Sequence, residues 1–370
     1  MLRLAGQPLS VVGQARTYVC GVTPYDVTHL GHAATFVWMD VVDRLLRRLG
    51  VQVEVCRNVT DVDEVLFVAA AKAGAPYDSF AAVQQFHFDR DMAALGVRRP
   101  AHEPRARTYV PQVVALAEAL LGSGAAYVAG GSVYFAGAAA LAKTKLSRAA
   151  ALELLAANGG HNEDPAKRDP LDQAVWQASA EGEPAWPSPW GPGRPGWHAE
   201  CTAMALATYG SSVDLHAGGA DLIFPHHAYE AAMAEVVTGV TPFARTWLHV
   251  GTVQLAGRKM AKSTGNLVFV ADLLERTSAA QVRLLLLDRP HDQPWDFTED
   301  ALAAAGERLA ALRAAALRDP ALDEAAAQAV LAVLAEDLDV PGAIALALAS
   351  GGQAARDLLA VLGLDDRPLP

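Results

Sequence analysis

The pattern of apolar and polar positions divides the chain into alternating strands and helices. Residues 16–22 form a largely apolar run that predicts a first strand, and 30–49 form an amphipathic run that predicts a long helix. From Val51 to Cys56, valine takes every second position, which predicts a strand with one well-buried face. Helices are expected at about 62–73, 78–95, 109–123 and 145–157, with a hairpin at 127–135 around Gly130-Gly131. Residues 158–195 are rich in Gly, Pro and Asp and read as a long irregular insertion. The alternation then resumes: a helix opens at 196 and runs to about 209, followed by a short strand at 213–216 and a glycine loop at 217–221. Another helix begins at 224 and a strand spans 247–253. From 270 onward everything reads helical, with a break near 290–294.

That β-α-β order predicts the α/β class, with a doubly wound parallel Rossmann-type catalytic domain. The expected divisions are 1–100 (first half of that domain), 101–190 (connective insertion), 191–269 (second half) and 270–370 (C-terminal helical bundle). Composition narrows the setting. With 52% apolar residues the 370-residue chain has ample core, yet no uncharged run reaches the ~18 residues a membrane span needs. The N-terminus lacks a signal-peptide layout, and three cysteines (Cys20, Cys56, Cys201) make no disulfide framework, so a cytoplasmic protein is expected. The net charge of −11 argues against a large nucleic-acid surface. Nothing in the pattern asks for assembly, so a monomer is expected.

Candidate chemistry begins where the first strand meets the first helix. Cys20, a turn at Thr23-Pro24-Tyr25, and His29-Leu-Gly-His32 lie at that junction. A helix start offers free N–H groups and a partial positive charge suited to phosphate, and two histidines can hydrogen-bond phosphate oxygens. Far downstream, Gly257-Arg-Lys259-Met-Ala-Lys262-Ser-Thr-Gly265 carries two of only six lysines in the chain. Lysine is a mobile point charge able to follow phosphate charge during reaction. A third group is scattered: Cys20, Cys201, His226 and Glu230 each fall near the end of a predicted strand or in the first turns of a helix. Those ends converge on one edge of a doubly wound sheet, and His226 and Glu230 share a helix face. Two Cys, one His and one Glu are a sensible zinc set. His32, His198 and His216 are other possible ligands, better read as phosphate or outer-sphere groups. Cys56 reads as core.

Taken together, these stretches resemble the cysteinyl-tRNA synthetase-like family of class I aminoacyl-tRNA synthetases over about residues 16–310. The matching stretches include Tyr18-Val-Cys-Gly, Thr23-Pro-Tyr-Asp-Val-Thr-His-Leu-Gly-His, Asn58-Val-Thr-Asp-Val-Asp, Gly193-Arg-Pro-Gly-Trp-His-Ala-Glu-Cys201, Phe224-Pro-His-His and Lys259-Met-Ala-Lys-Ser. The resemblance implies adenylation of cysteine by ATP with Mg2+. It implies Zn2+ on Cys20, Cys201, His226 and Glu230, taking the substrate thiolate. It implies an adenylate pocket lined by Gly21, Thr23, Thr35, Asn58, Thr60, Trp197, Gly219, Asp221 and Val253. His29, His32, Lys259 and Lys262 would handle ATP.

The acceptor is read from details. Residues 23–35 and Val65-Leu-Phe67 look like the branch that joins cysteine to glucosaminyl-inositol in mycothiol biosynthesis, whereas Lys145-Leu-Ser and Glu230 look more like the synthetases. The Glu-Arg-Gly-Gly-Asp-Pro motif of that branch is here Asn158-Gly-Gly-His-Asn-Glu-Asp-Pro. Only 108 residues follow Lys262, and the last 70 hold no lysine and many acids, which would repel a phosphate backbone. A small amine, most of all glucosaminyl-inositol, is therefore expected over tRNA. The alternatives are a compact cysteinyl-tRNA synthetase, or a paralogue charging another amine or a carrier protein.

Overall fold

The structure is a computed structural model that describes residues 1–25, 28–260, 265–318 and 323–365. Strand β1 (Gln14–Val22) leads through the histidine-bearing turn into α1 (Leu30–Arg48), and β2 (Gln52–Val59) follows. Helices α2 (Glu64–Lys72), α3 (Tyr77–Ala94) and α4 (Val110–Gly122) come next. The hairpin β3 (Ala126–Ala129) and β4 (Ser132–Phe135), helix α5 (Arg148–Ala157), and strands β5 (Gln173–Ala178) and β6 (Gly193–Pro195) form the insertion. Then come α6 (Trp197–Tyr209), β7 (Val213–Gly219), α7 (Ala228–Thr238) and β8 (Ala244–Val250).

The central sheet is parallel and ordered β8-β7-β1-β2. The chain winds outward from β1 to one edge through β2 and to the other through β7 and β8. The crevice between β1 and β7 is thus the point where the winding reverses, and there the carboxyl ends of strands leave a ligand crevice. Cys20 and Gly21 end β1, and Gly218 and Gly219 end β7, so the candidate chemistry lies at that crevice.

The long insertion departs from its sequence reading. Residues 173–178 and 193–195 are not irregular: β5 and β6 extend the hairpin into a four-stranded antiparallel sheet ordered β3-β4-β5-β6. β5 pairs with a strand tens of residues earlier and β6 pairs with β5 across a long loop, so no local period announced them. The glycine loop expected at 217–221 is in part strand as well, since Ala217, Gly218 and Gly219 pair with Leu248, His249 and Val250. The strand expected at 247–253 is two strands, β8 and the separate β9 (Val253–Leu255).

After a short helix at Val270–Leu274 come α8 (Ala279–Leu287), α9 (Glu299–Leu317), α10 (Glu324–Ala335), α11 (Val340–Ser350) and α12 (Gly352–Leu362), and the stretch expected to be helical is broken by a two-residue strand, Trp295–Asp296, paired with β9. Their leucine and alanine faces join one apolar core with α1. Buried Arg283 clamps this region: it pairs with buried Asp40 of α1 at 2.6 Å and donates to the carbonyls of Leu95 and Leu362. With all those partners supplied, burying the charge is tolerable, and the end of α12 is tied to the first helix.

Candidate active site and metal centre

The floor of the crevice is a buried cluster of titratable groups. Ligating atoms of Cys20, Cys201, His226 and Glu230 all lie within 4.8 Å of one another, and all four residues are buried. Donor separations around a tetrahedral zinc are roughly 3–4 Å, given Zn–S of about 2.3 Å and Zn–N of about 2.0 Å, so the cluster is of the right size. His226 Nε2 is 3.2 Å from Glu230 Oε1, and its Nδ1 is 2.9 Å from His198 Nδ1. One ring nitrogen is therefore oriented by a neighbour while the other faces the cluster, the usual arrangement of a ligating imidazole. Trp197 stacks on the His226 ring at 4.4 Å. The other carboxylate oxygen of Glu230 is 2.9 Å from His216 Nε2.

Electrostatics divide the four donors: burial, with Cys201 and Glu230 beside it, pushes the Cys20 thiol well up, and against burial Glu230 and Cys201 raise His226 to about 10. Against burial, the imidazoles of His226 and His216 hold the Glu230 carboxyl well below its ordinary range. Against burial, Cys20 and His226 pull the Cys201 thiol down. Cys56, expected as core, is fully buried, and burial pushes its thiol up to about 12.

A second grouping shares two members: Cys20, His216, His227 and Glu230 also lie within 4.8 Å. It has one thiol instead of two, and His227 Nδ1 is taken up by His249 Nε2 at 2.8 Å. The two-thiol set is the softer and better zinc site. Position decided which of the adjacent histidines joins it. Phe224 has extended backbone angles (φ −141°, ψ 132°), so the chain kinks just before His226 and His227 and no regular helix orders them.

Above the floor opens a cavity of about 660 Å³. Among the residues singled out in the sequence, Cys20, Gly21, Thr23, His29, His32, Thr35, Trp197, Gly219, Asp221, Val253 and Lys259 line it. Asn58 and Thr60 do not. They brace it from beneath: Asn58 accepts from Gly21 N at 2.8 Å, and donates to Thr60 Oγ1 at 3.1 Å and to Cys201 Sγ at 3.3 Å. Lys262 lies outside the described residues. Tyr25 and Met260, which lie within the quoted motifs, also line the cavity, as do Thr252 and Leu267, which no local signal marked.

At the opposite end, the rings of His29 and His32 stack at 3.9 Å where α1 begins. His29 caps that helix, its Nδ1 accepting from Gly31 N at 3.1 Å. A Cβ at position 31 would stand 2.8 Å from the His29 ring, so Gly31 makes room for the cap as well as for a ligand. Burial, then Lys259, pushes His32 down to about 4, so its imidazole is neutral at pH 7. The Lys259 ammonium sits 2.5 Å from the Asp221 carboxylate, across the cavity wall.

The comparisons agree with this geometry. Residues 8–307 match the family of tRNA synthetases class I (C) catalytic domain. An L-cysteine:1D-myo-inositol 2-amino-2-deoxy-alpha-D-glucopyranoside ligase of Frankia alni is 45% identical over 339 residues, covering 90% of this chain and 81% of its own. A Mycobacterium ulcerans protein of the same name is 45% identical over 347 residues, covering 92% and 84%. In fold, the chain is similar to Mycobacterium tuberculosis methionyl-tRNA synthetase bound by methionyl-adenylate, with TM-score 0.66, 19% identity, and coverage of 91% and 82%. A class I synthetase sheet, its crevice lined as described, and a family match across four-fifths of the length place this chain in one family: it belongs to the class I (C) tRNA synthetase catalytic-domain family.

Proposed function

We propose that this protein is an AMP-forming cysteine ligase. It activates L-cysteine with ATP and passes the cysteinyl group to the amine of an amino sugar, 1D-myo-inositol 2-amino-2-deoxy-glucopyranoside in the first instance. The observation that carries the reading is one cavity with a two-thiol metal floor at one end and a stacked histidine pair on a helix start at the other. The relatives' name supplies the acceptor.

In the first step the cysteine carboxylate attacks the α-phosphorus of ATP, and the bond to the bridging oxygen breaks with release of pyrophosphate. The N-terminal N–H groups of α1, with His29 and His32, hold the triphosphate. Lys259 neutralises charge growing on the leaving pyrophosphate, and Lys262 is assigned the same role from its motif alone. Cys20, Cys201, His226 and Glu230 fit a zinc ion by donor type, burial and separation. When bound, that zinc supplies a Lewis acid that ionises and holds the substrate thiol, so serine is a poorer fit. In the second step the acceptor nitrogen, as the neutral amine, attacks the carbonyl carbon, AMP departs with the C–O bond electrons, and the nitrogen gives its extra proton to solvent to leave an amide.

Asp221 is placed to hold the α-amino group. In this structure the Lys259 ammonium sits on that carboxylate and marks it as a cation site. Asp221→Asn is expected to raise KM for cysteine about tenfold or more, the worth of one charge-assisted hydrogen bond, in cysteine-dependent ATP–pyrophosphate exchange. An unchanged KM would remove Asp221 from this role.

The whole reading is tested by one partition. The protein is mixed with ATP, cysteine, the amino sugar and cysteine tRNA, and cysteine is traced by mass spectrometry. Cysteine on the amino sugar is the expected result. Cysteine on tRNA would make this a compact synthetase.

A further inference from the structure

A second chamber, about 890 Å³, opens beside the first. Thr23, Tyr25, Asn158 and Trp197 line both, so the two are neighbours across a shared wall. His29, His32 and Lys259 line only the first. The second chamber therefore adjoins the thiol end, where Trp197 stacks on His226, and stands away from the phosphate end. A nucleophile bound there can approach the carbonyl carbon without crossing the path of pyrophosphate.

The lining is polar and acidic. Four carboxylates (Asp63, Glu64, Glu163, Asp164) face it against the cations Lys167 and Arg194. Both cations are engaged: Lys167 donates to the carbonyl of Gly160 at 2.6 Å, and buried Arg194 pairs with Glu64 and Glu183. Gln177 donates to Glu64 Oε1 at 3.2 Å, so Arg194, Glu64 and Gln177 form one connected polar wall. An acidic chamber draws in an ammonium and repels phosphate. Its wall holds both donors and acceptors, as a ligand bearing many hydroxyls needs.

Resting on the adenylation reading above, we propose that this second chamber is the acceptor site and takes a polyhydroxylated amine as its ammonium, which gives one proton to solvent to free the attacking lone pair, with Glu64 and Gln177 reading its hydroxyls. Glu64 and Gln177 set acceptor specificity and take no part in adenylation. Both side chains are held by the Arg194 wall, so the site is formed before the acceptor arrives.

The test separates the two half-reactions. Glu64→Gln and Gln177→Leu are compared with the parent, first in cysteine-dependent ATP–pyrophosphate exchange without acceptor, then in amide formation with glucosaminyl-inositol. Exchange is expected to stay within twofold, which also shows that the variants fold, while KM for the amino sugar rises at least tenfold in each. KM within twofold of the parent in both variants would overturn the acceptor site while leaving adenylation intact. Loss of exchange in both would overturn the division between chambers. A parent that shows no exchange would sink the adenylation reading, and this proposal with it. A tenfold rise seen with cysteine tRNA and not with the amino sugar would overturn the acceptor class.

Discussion

Cys201→Ser protein is expected to purify without zinc and to lose roughly 100-fold or more in cysteine-dependent ATP–pyrophosphate exchange, since even outer-sphere partners of a metal site are worth 10–100-fold. A serine hydroxyl stays protonated at neutral pH and is a poor zinc ligand. In the folded protein the Cys201 thiol is pulled toward its ionised form by Cys20 and His226, against burial, and Asn58 donates to the same sulfur. Removing it leaves one thiol, one imidazole and one carboxylate around the position. Metal content by mass spectrometry and exchange kinetics are read on the same preparation. Cys56→Ser is the control. It lies fully buried in the same apolar cluster but outside the ligating set, and it is expected to keep its zinc. Full zinc in the Cys201 variant would break the ligand assignment.

The second large effect belongs to the opposite end of the cavity. His32→Ala is expected to lower kcat for exchange by about 100- to 1,000-fold, the range found when one donor to developing oxyanion charge is removed. Burial and Lys259 keep this imidazole neutral at pH 7, so it acts as a hydrogen-bond donor and not as a fixed charge. Zinc content is expected to be unchanged, because His32 lies outside the metal cluster. The pair of variants thus dissects the site: one loses metal and cysteine, the other keeps the metal and loses phosphate chemistry. A His32 variant with parental kcat would show that the helix start and the lysine loop handle the phosphates without it.

Parts of this architecture were legible from local chemistry. Valine at every second position from 51 to 55 predicted β2, and a 3.6-residue period after Leu30 predicted α1, because burial of one face imposes those periods on the residues themselves. Two histidines around Gly31 and two lysines in a lysine-poor chain stood out because such residues are rare enough to be informative singly. Cys20, Cys201, His226 and Glu230 were found as a set because a doubly wound sheet collects its strand ends on one edge.

Other features were settled by contacts between distant residues. Strand β5 has its partner in a hairpin dozens of residues earlier, and β6 pairs with β5 across the loop between them, so the pairing leaves no period in their own sequence. Asn58 and Thr60 lie under the cavity instead of on its wall, since the direction of a strand-end side chain depends on its neighbour in the sheet. Asp221 and Lys259, 38 positions apart, meet only because the turn after β7 and the strand Arg258–Lys259, folded back on β9, both line one cavity. The sequence by itself determined the fold class, the order of core elements and the chemical types at the site. Only the tertiary structure decided which side chains support and which line, and that a second acidic chamber adjoins the first. Periodicity and residue chemistry are local properties of the chain, whereas orientation and enclosure arise only when distant segments pack together.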